Sequence, residues 1–264
     1  MISLNRNYLI RKYGSNLPIL TQLSLSNNQI SSIDPNLFSN LTNLNQLWLA
    51  NNQISSIDSS TFSNLTKLNQ LSLYNNQISS IDPKLFSNQT NLTHLWLYDN
   101  RISSIDANAF INLTNLTHLW LSNNQISSID SKLFKNLCHL CQLWLDKNRI
   151  GSIDSSTFSN LAQLTSLSLS FNQISSIDAN LFSNLTNLTH LWLSNNQISS
   201  IDPESFKNLK NLERLDIYDN PMTSSTNQSI NFIDKRIFRG LKNLKNIYLH
   251  SKDLNSISDL AEDL

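Results

Sequence analysis

"LTHLWLSNNQISSID", Leu116 to Asp130, returns letter for letter at Leu188 to Asp202. Three large hydrophobes stand in a row in it: Leu119, Trp120 and Leu121. Neighbouring side chains of a β-strand point to opposite faces, so with both leucines turned inward the Trp120 indole must point outward. Working outward from this stretch, the whole chain repeats. Leucines opening the same pattern fall at Leu20, Leu44, Leu68, Leu92, Leu116, Leu140, Leu164, Leu188 and Leu212, each 24 residues after the last. A tenth unit opens at Leu244, 32 residues on. The unit reads L-x-x-L-x-L-x-x-N-x-I-x-x-I-D-x-x-x-F-x-x-L-x-x. One such unit cannot bury its own apolar side, so its neighbours must cover it, and the chain reads as a solenoid.

Each fixed position has a physical reason. The L-x-L segment makes a short strand, and strands of successive units stack in parallel about 4.8 Å apart. Asn28, Asn52, Asn76, Asn100, Asn124, Asn148, Asn172, Asn196 and Asn220 form one column. A buried amide there can donate and accept at once, satisfying backbone groups of adjacent turns. Lys252 takes the place in the tenth unit and cannot accept, which ends the column. Asp34, Asp82 and Asp202 precede prolines, a pattern that opens a short helical turn on the outer side. Phenylalanines from Phe38 to Phe238 fill the wide outer end of the core.

The pattern resembles the leucine-rich repeat family, and its 24-residue unit is similar to the typical class of extracellular receptors and matrix proteins. The resemblance spans residues 20–257 and implies an α/β fold. That fold is a curved horseshoe solenoid with a concave parallel β-sheet and short helical or irregular convex segments. Residues 1–264 then form one solenoid: a partial repeat at 1–19, nine repeats over 20–243 with an insertion near 221–232, and a last repeat with the C-terminal end at 244–264. The partial repeat rests on Ile2, Leu4, Asn7 and Leu9, which match the spacing of Leu23, Leu25, Asn28 and Ile30. With no recognisable cap before Leu20, the core around Leu17, Leu20 and Leu23 is expected to be poorly covered. The resemblance implies an extracellular or cell-surface glycoprotein. The opening residues lack an apolar leader and the usual cysteine-rich caps are not visible, which keeps open a cytoplasmic setting and, with it, an intracellular scaffold mediating protein-protein interaction.

Composition narrows the functions. Charged residues make up 14% with no net charge, which argues against a nucleic-acid partner. No apolar run of about 18 residues exists to span a membrane. Hydroxyls and carboxylates repeat at scaffold positions instead of converging with a histidine, so no enzyme is expected.

All five tryptophans, Trp48, Trp96, Trp120, Trp144 and Trp192, take the fifth position of a unit, on the concave sheet. Ser24, Ser72, Ser168, Asp216 and Tyr248 take it in the other units. Trp96, Trp120 and Trp144 are consecutive, and their indoles are expected to stack side by side over about 10 Å. Around them the same face should present Tyr74, His94, Tyr98, His118, Asp146, Lys147, Phe171, His190, Arg214 and Tyr218. Tryptophan, tyrosine and arginine dominate binding hot spots, and a contiguous apolar patch marks an interaction site. The expected ligand is a protein or a glycan. A purely structural role, in which indoles brace neighbouring strands, competes with this reading.

Weaker signals are set beside it. His94 and His118 share a position in adjacent units, but two ligands do not complete a zinc site, so no metal and no cofactor are expected. Cys138 and Cys141 stand where Thr114 and Thr117 stand one unit earlier and read as substitutions. Glycosylation sequons begin at Asn40, Asn64, Asn88, Asn91, Asn112, Asn115, Asn184, Asn187 and Asn227; eight of the nine fall at two repeat positions, where copying also explains them. The sequence leaves the ligand's identity and the oligomeric state open.

Overall fold

The computed structural model describes residues 2–4, 6–222 and 235–249. The insertion lies outside the described residues from position 223 on, as do Asn227, His250 and Lys252. Ten three-residue strands, from Gln22–Ser24 to Asn246–Tyr248, form one parallel sheet in chain order. Register passes from unit to unit without a slip, as in Leu95↔Leu119↔Leu143. The 24-residue period forces this, because any slip would turn the inward leucines to the outer face.

Behind the sheet the leucines, the isoleucines and the phenylalanine column from Phe38 to Phe238 form one elongated buried core. Successive phenylalanine rings stack, with centroids 6.2 Å apart at Phe38–Phe62 and 6.4 Å at Phe158–Phe182. The asparagine column behaves as its chemistry requires. Asn124 Nδ2 donates to the carbonyls of Leu97 and Leu121 at 3.0 Å, while its Oδ1 accepts from the Ile102 N–H at 3.0 Å. Each amide thus closes its own turn and the preceding one.

On the convex side the expected helical turn becomes a chain of tight turns. Asp82 Oδ1 accepts from the Lys84 N–H at 2.8 Å, and the Leu85 N–H donates to the Asp82 carbonyl at 3.0 Å. Short parallel pairs also form, such as Ser176–Ile177 with Ser200–Ile201.

The N-terminal segment departs from expectation. A partial repeat would lay Leu4 beside Leu25 in the large sheet. Instead Ile2–Leu4 pairs with Ile30–Ile33, and the chain then forms a helix, Arg6–Tyr13, and a 3-10 turn, Gly14–Ile19. The offset from Ile2 to Leu23 is 21 residues, three short of a full turn, so the segment folds across the end of the core rather than extending it. Leu9, Leu17 and Leu23 are buried and Leu20 packs against them, so the core is better covered there than the sequence implied. Ile10 and Ile19 stay exposed, Ile19 the more so at 69%.

Candidate functional site: the concave face

Strand alternation delivers the fifth-position side chains to the concave face. All five indoles are half-buried there, and their rings do not form the even three-indole stack expected. Trp96 and Trp120 meet edge to face, with centroids 5.7 Å apart and planes at 75°. Trp144 turns the other way, reaching over the buried Ser168 to stack on Trp192 at 5.2 Å and 29°. The serine between them supplies the room for that stack. Trp120 and Trp144 are Cα partners on adjacent strands, yet between their rings lies a slot of about 270 Å³ walled by Tyr98, Trp120, Ser122 and Trp144.

The neighbouring columns are equally ordered. Tyr74 and Tyr98 stack at 4.5 Å, and burial pushes the Tyr98 hydroxyl up to about 12, with Tyr74 and Asp99 adding to the shift. Ser122 donates to Asp146, and Asn123 donates to Asp99. At the C-terminal end Arg214 grips the buried Asp216 with two hydrogen bonds of 3.0 and 2.9 Å, which raise its pKa above the ordinary arginine value. Its guanidinium lies 4.4 Å over Tyr248 and 5.8 Å over Trp192. Tyr218, half-buried, follows at the seventh position of the same unit.

The histidines are oriented by their neighbours. Thr93 Oγ1 donates to the Asn69 carbonyl at 2.9 Å, so at 2.9 Å from His94 Nδ1 it must accept. Thr117 does the same for His118, and Thr189 for His190. All three rings therefore carry their proton on Nδ1 and keep an acceptor at Nε2. His94 and His118 stack with centroids 4.2 Å apart and planes within 8°. Lone pairs in parallel rings run side by side, so this pair does not converge on one ion. Burial lowers both pKa values, and His94 lowers that of His118 further.

The last two expected residues are conformationally unusual. The eighth position of each of the first nine units has positive φ, and seven of them place Asn or Asp there. Lys147 and Phe171 occupy it at φ 54° and 55°, and Phe171 is 47% exposed. The Lys147 ammonium lies 6.0 Å from the Phe171 ring.

A family model described as a BspA type leucine rich repeat region (6 copies) matches residues 14–142, 104–228 and 152–261. The chain belongs to the leucine-rich repeat family. Leucine-rich repeat solenoids of known structure superpose on it closely. One is TLR13 in a complex with ssRNA13, with 31% identity, a TM-score of 0.81, and 95% of this chain and 34% of that chain covered. Another is Drosophila Toll in its complex with Spatzle (glycosylated form), with 24% identity, a TM-score of 0.82, and 94% and 33% covered. The latter shows a shared fold. This leucine-rich repeat chain spans about a third of the length of either match. No curated protein sequence matches it. The TLR13 complex weakens one expectation, the exclusion of a nucleic-acid partner, which rested on the charge balance alone.

Sequence reasoning missed two further asparagine columns of the leucine-rich repeats, on the flank. Asn112 Nδ2 donates to the Ser87 carbonyl at 3.0 Å, Asn115 to Thr90 at 2.9 Å, and Asn184 to Ser159 at 2.7 Å. Asn88, Asn91 and Asn187 bond alike, so six of the eight described sequon asparagines tie one unit to the one before. A signal was present. Asn136, Asn160 and Asn208 keep the amide and the bond without a following Ser or Thr, which marks the asparagine as the structural element. Cys138 and Cys141 are both free thiols. Among the described residues no helix is long and apolar enough to cross a membrane.

Proposed function

We propose that this leucine-rich repeat solenoid is a non-enzymatic recognition module that binds a protein or glycan ligand through its aromatic concave face. The setting we favour is a receptor or adhesion ectodomain, or a piece of one. The observation that carries the reading is a row of half-exposed indoles held on a rigid sheet. Large aromatic surface that is already ordered loses little entropy on binding, and such residues dominate hot spots. The Toll and TLR13 solenoids are each seen in complex with a ligand, which supports the reading. A phosphate backbone draws its affinity from an excess of lysines and arginines, and here 19 of them are balanced by 19 acidic residues, so protein or glycan is preferred over RNA.

The test combines a partner screen with replacement of Trp96, Trp120 and Trp144 by serine, a residue the fold already accepts at Ser72 and Ser168. A partner captured by the wild type should bind the triple variant weaker by about 2 kcal/mol or more. The variant should still unfold cooperatively. Undiminished binding by a folded triple variant would move the site off this face.

A further inference from the structure

A groove runs along the flank where the units enter their strands, and none of the indoles lines it. It holds about 460 Å³ between two columns of side chains. One column runs from Cys141 through Thr165 and Thr189 to Glu213, and its backbone continues the ladder of the sheet. The Thr165 N–H donates to the Cys141 carbonyl at 2.8 Å, and the Glu213 N–H to the Thr189 carbonyl at 2.8 Å. The step from rung to rung is therefore the strand spacing, about 4.8 Å. The other column is made of carboxamides, Gln163, Asn187, Asn211 and Asn243. Three of them are fixed in place. Asn187, Asn211 and Asn243 Nδ2 donate to the carbonyls of Ala162, Thr186 and Lys210 at 3.0, 2.9 and 2.7 Å. Each keeps its carbonyl oxygen and a second N–H for an outside partner. The Thr165 hydroxyl donates to the Cys141 carbonyl at 3.0 Å, which leaves it as an acceptor toward the groove.

Elsewhere in the same column such an oxygen is in use. Lys67 Nζ donates to Asn43 Oδ1 at 2.8 Å, from one unit further along. In the groove Asn211 and Asn243 stand where that lysine would, and among the described residues no donor reaches the Asn187 or Asn211 oxygen. Charge and pitch decide what fits. Glu213 is the one charged residue of the lining, and it is paired with Lys245 at 3.0 Å, so no uncompensated charge is left to hold a cation or a phosphate. An extended peptide rises about 3.3 Å per residue and falls out of step with rungs about 4.8 Å apart. A β-1,4-linked hexose chain advances one ring in close to that step, so successive rings meet successive rungs. Its hydroxyls rotate freely, donating to an amide oxygen or accepting from the spare N–H. Amides that are already locked lose little side-chain entropy on binding. We propose that this flank groove binds an extended neutral glycan along its row of carboxamides, as a site separate from the aromatic concave face.

The probe is cellohexaose, titrated into 15N-labelled protein made in bacteria, where the Asn187 sequon stays unmodified. The side-chain amide signals of Asn187 and Asn211 should shift saturably while the five indole signals stay. Cellobiose should bind at least about tenfold more weakly, because it spans fewer rungs and each contributes on the scale of one hydrogen bond. Asn211→Lys copies the arrangement at Lys67, so its ammonium should occupy the Asn187 oxygen. Cellohexaose binding should then weaken about tenfold, the loss of two acceptors. Asn243→Lys should act likewise on Asn211, so the result does not depend on one variant folding; the indole spectrum reports the fold of each. Asn115→Lys lies in the same column outside the groove and should leave binding unchanged. An equal loss there would mean adsorption along the whole flank and would overturn the groove. Indole shifts in place of amide shifts would put the sugar on the concave face, overturning the groove and leaving the recognition reading intact. If spermine moves the amide signals and cellohexaose does not, the groove is a cation site and the proposal falls. No shift with either probe overturns it as well, whatever the partner screen finds for the concave face.

Discussion

Residues 116–124 and 188–196 share the same nine letters, and the structure treats them alike on one side and differently on the other. Toward the core they match. Asn196 bonds Leu169 and Leu193 at 2.9 and 3.0 Å and accepts from Ile174 at 3.1 Å, repeating the pattern of Asn124. Toward solvent they diverge. Trp120 stands edge-on to Trp96, while Trp192 lies face-on to Trp144 and beneath Arg214. Ser122 donates to Asp146, whereas the equivalent Ser194 hydroxyl is buried without a partner. Interior positions are governed by the backbone groups they must satisfy, which are the same in every unit. Outer positions answer to whichever residues the adjacent units happen to present. Identical repeats therefore share a fold without sharing a surface.

The largest expected effect tests the sameness. Asn124→Leu and Asn196→Leu each strip partners from buried carbonyls and one N–H, at roughly 1–3 kcal/mol for each group left unsatisfied. Urea denaturation should show losses of about 3 kcal/mol or more for both, equal within about 0.5 kcal/mol as expected for equivalent sites. A clear inequality would mean that the interiors of the two units differ. Next comes the difference. Trp192→Ser loses a face-on indole partner and an arginine stack, while Trp120→Ser loses edge contacts and borders a slot. Trp192→Ser should be the more destabilising by about 1 kcal/mol, the scale of one aromatic pair. Equal losses would argue that ring packing contributes nothing beyond area.

The smallest effect is set by pH. Burial holds His94 and His118 below the ordinary histidine value of 6.5, and the charge of the stacked His94 lowers His118 further. The unfolded chain then takes up protons first as pH falls through 6.5. Stability should decline on going down from about pH 7 and level off below the folded pKa values. His118→Gln removes one of the two depressed groups. Its urea midpoint should depend less on pH between about 7 and 5 than that of the wild type. An unchanged slope would show that the stacked pair does not govern the decline.

The fold was legible because a 24-residue period leaves one arrangement for the strand, the asparagine and the phenylalanine. The membership of the concave face was legible too, since alternation alone assigns Trp96 and Trp120 to it. Ring orientation was not. It depends on a smaller residue one unit away, as Ser168 shows by letting Trp144 reach Trp192. The N-terminal segment misled because matching letters at Ile2, Leu4, Asn7 and Leu9 outweighed a visible three-residue shortfall before the next unit. The flank asparagines misled through chemistry, since one amide serves both a sequon and a hydrogen bond to the preceding unit.

The core and flank asparagines bond within their own unit or to the unit before, and no further. Mechanically this makes the molecule a stack of coils in series, each fastened to the next and to nothing further away. Under tension along its axis, load passes through every interface equally, and the weakest interface yields first. Freeing one coil releases 24 residues, about 80 Å of slack at full extension. The coils on either side of the break keep their own fastenings, so a pulled chain lengthens in steps instead of failing at once.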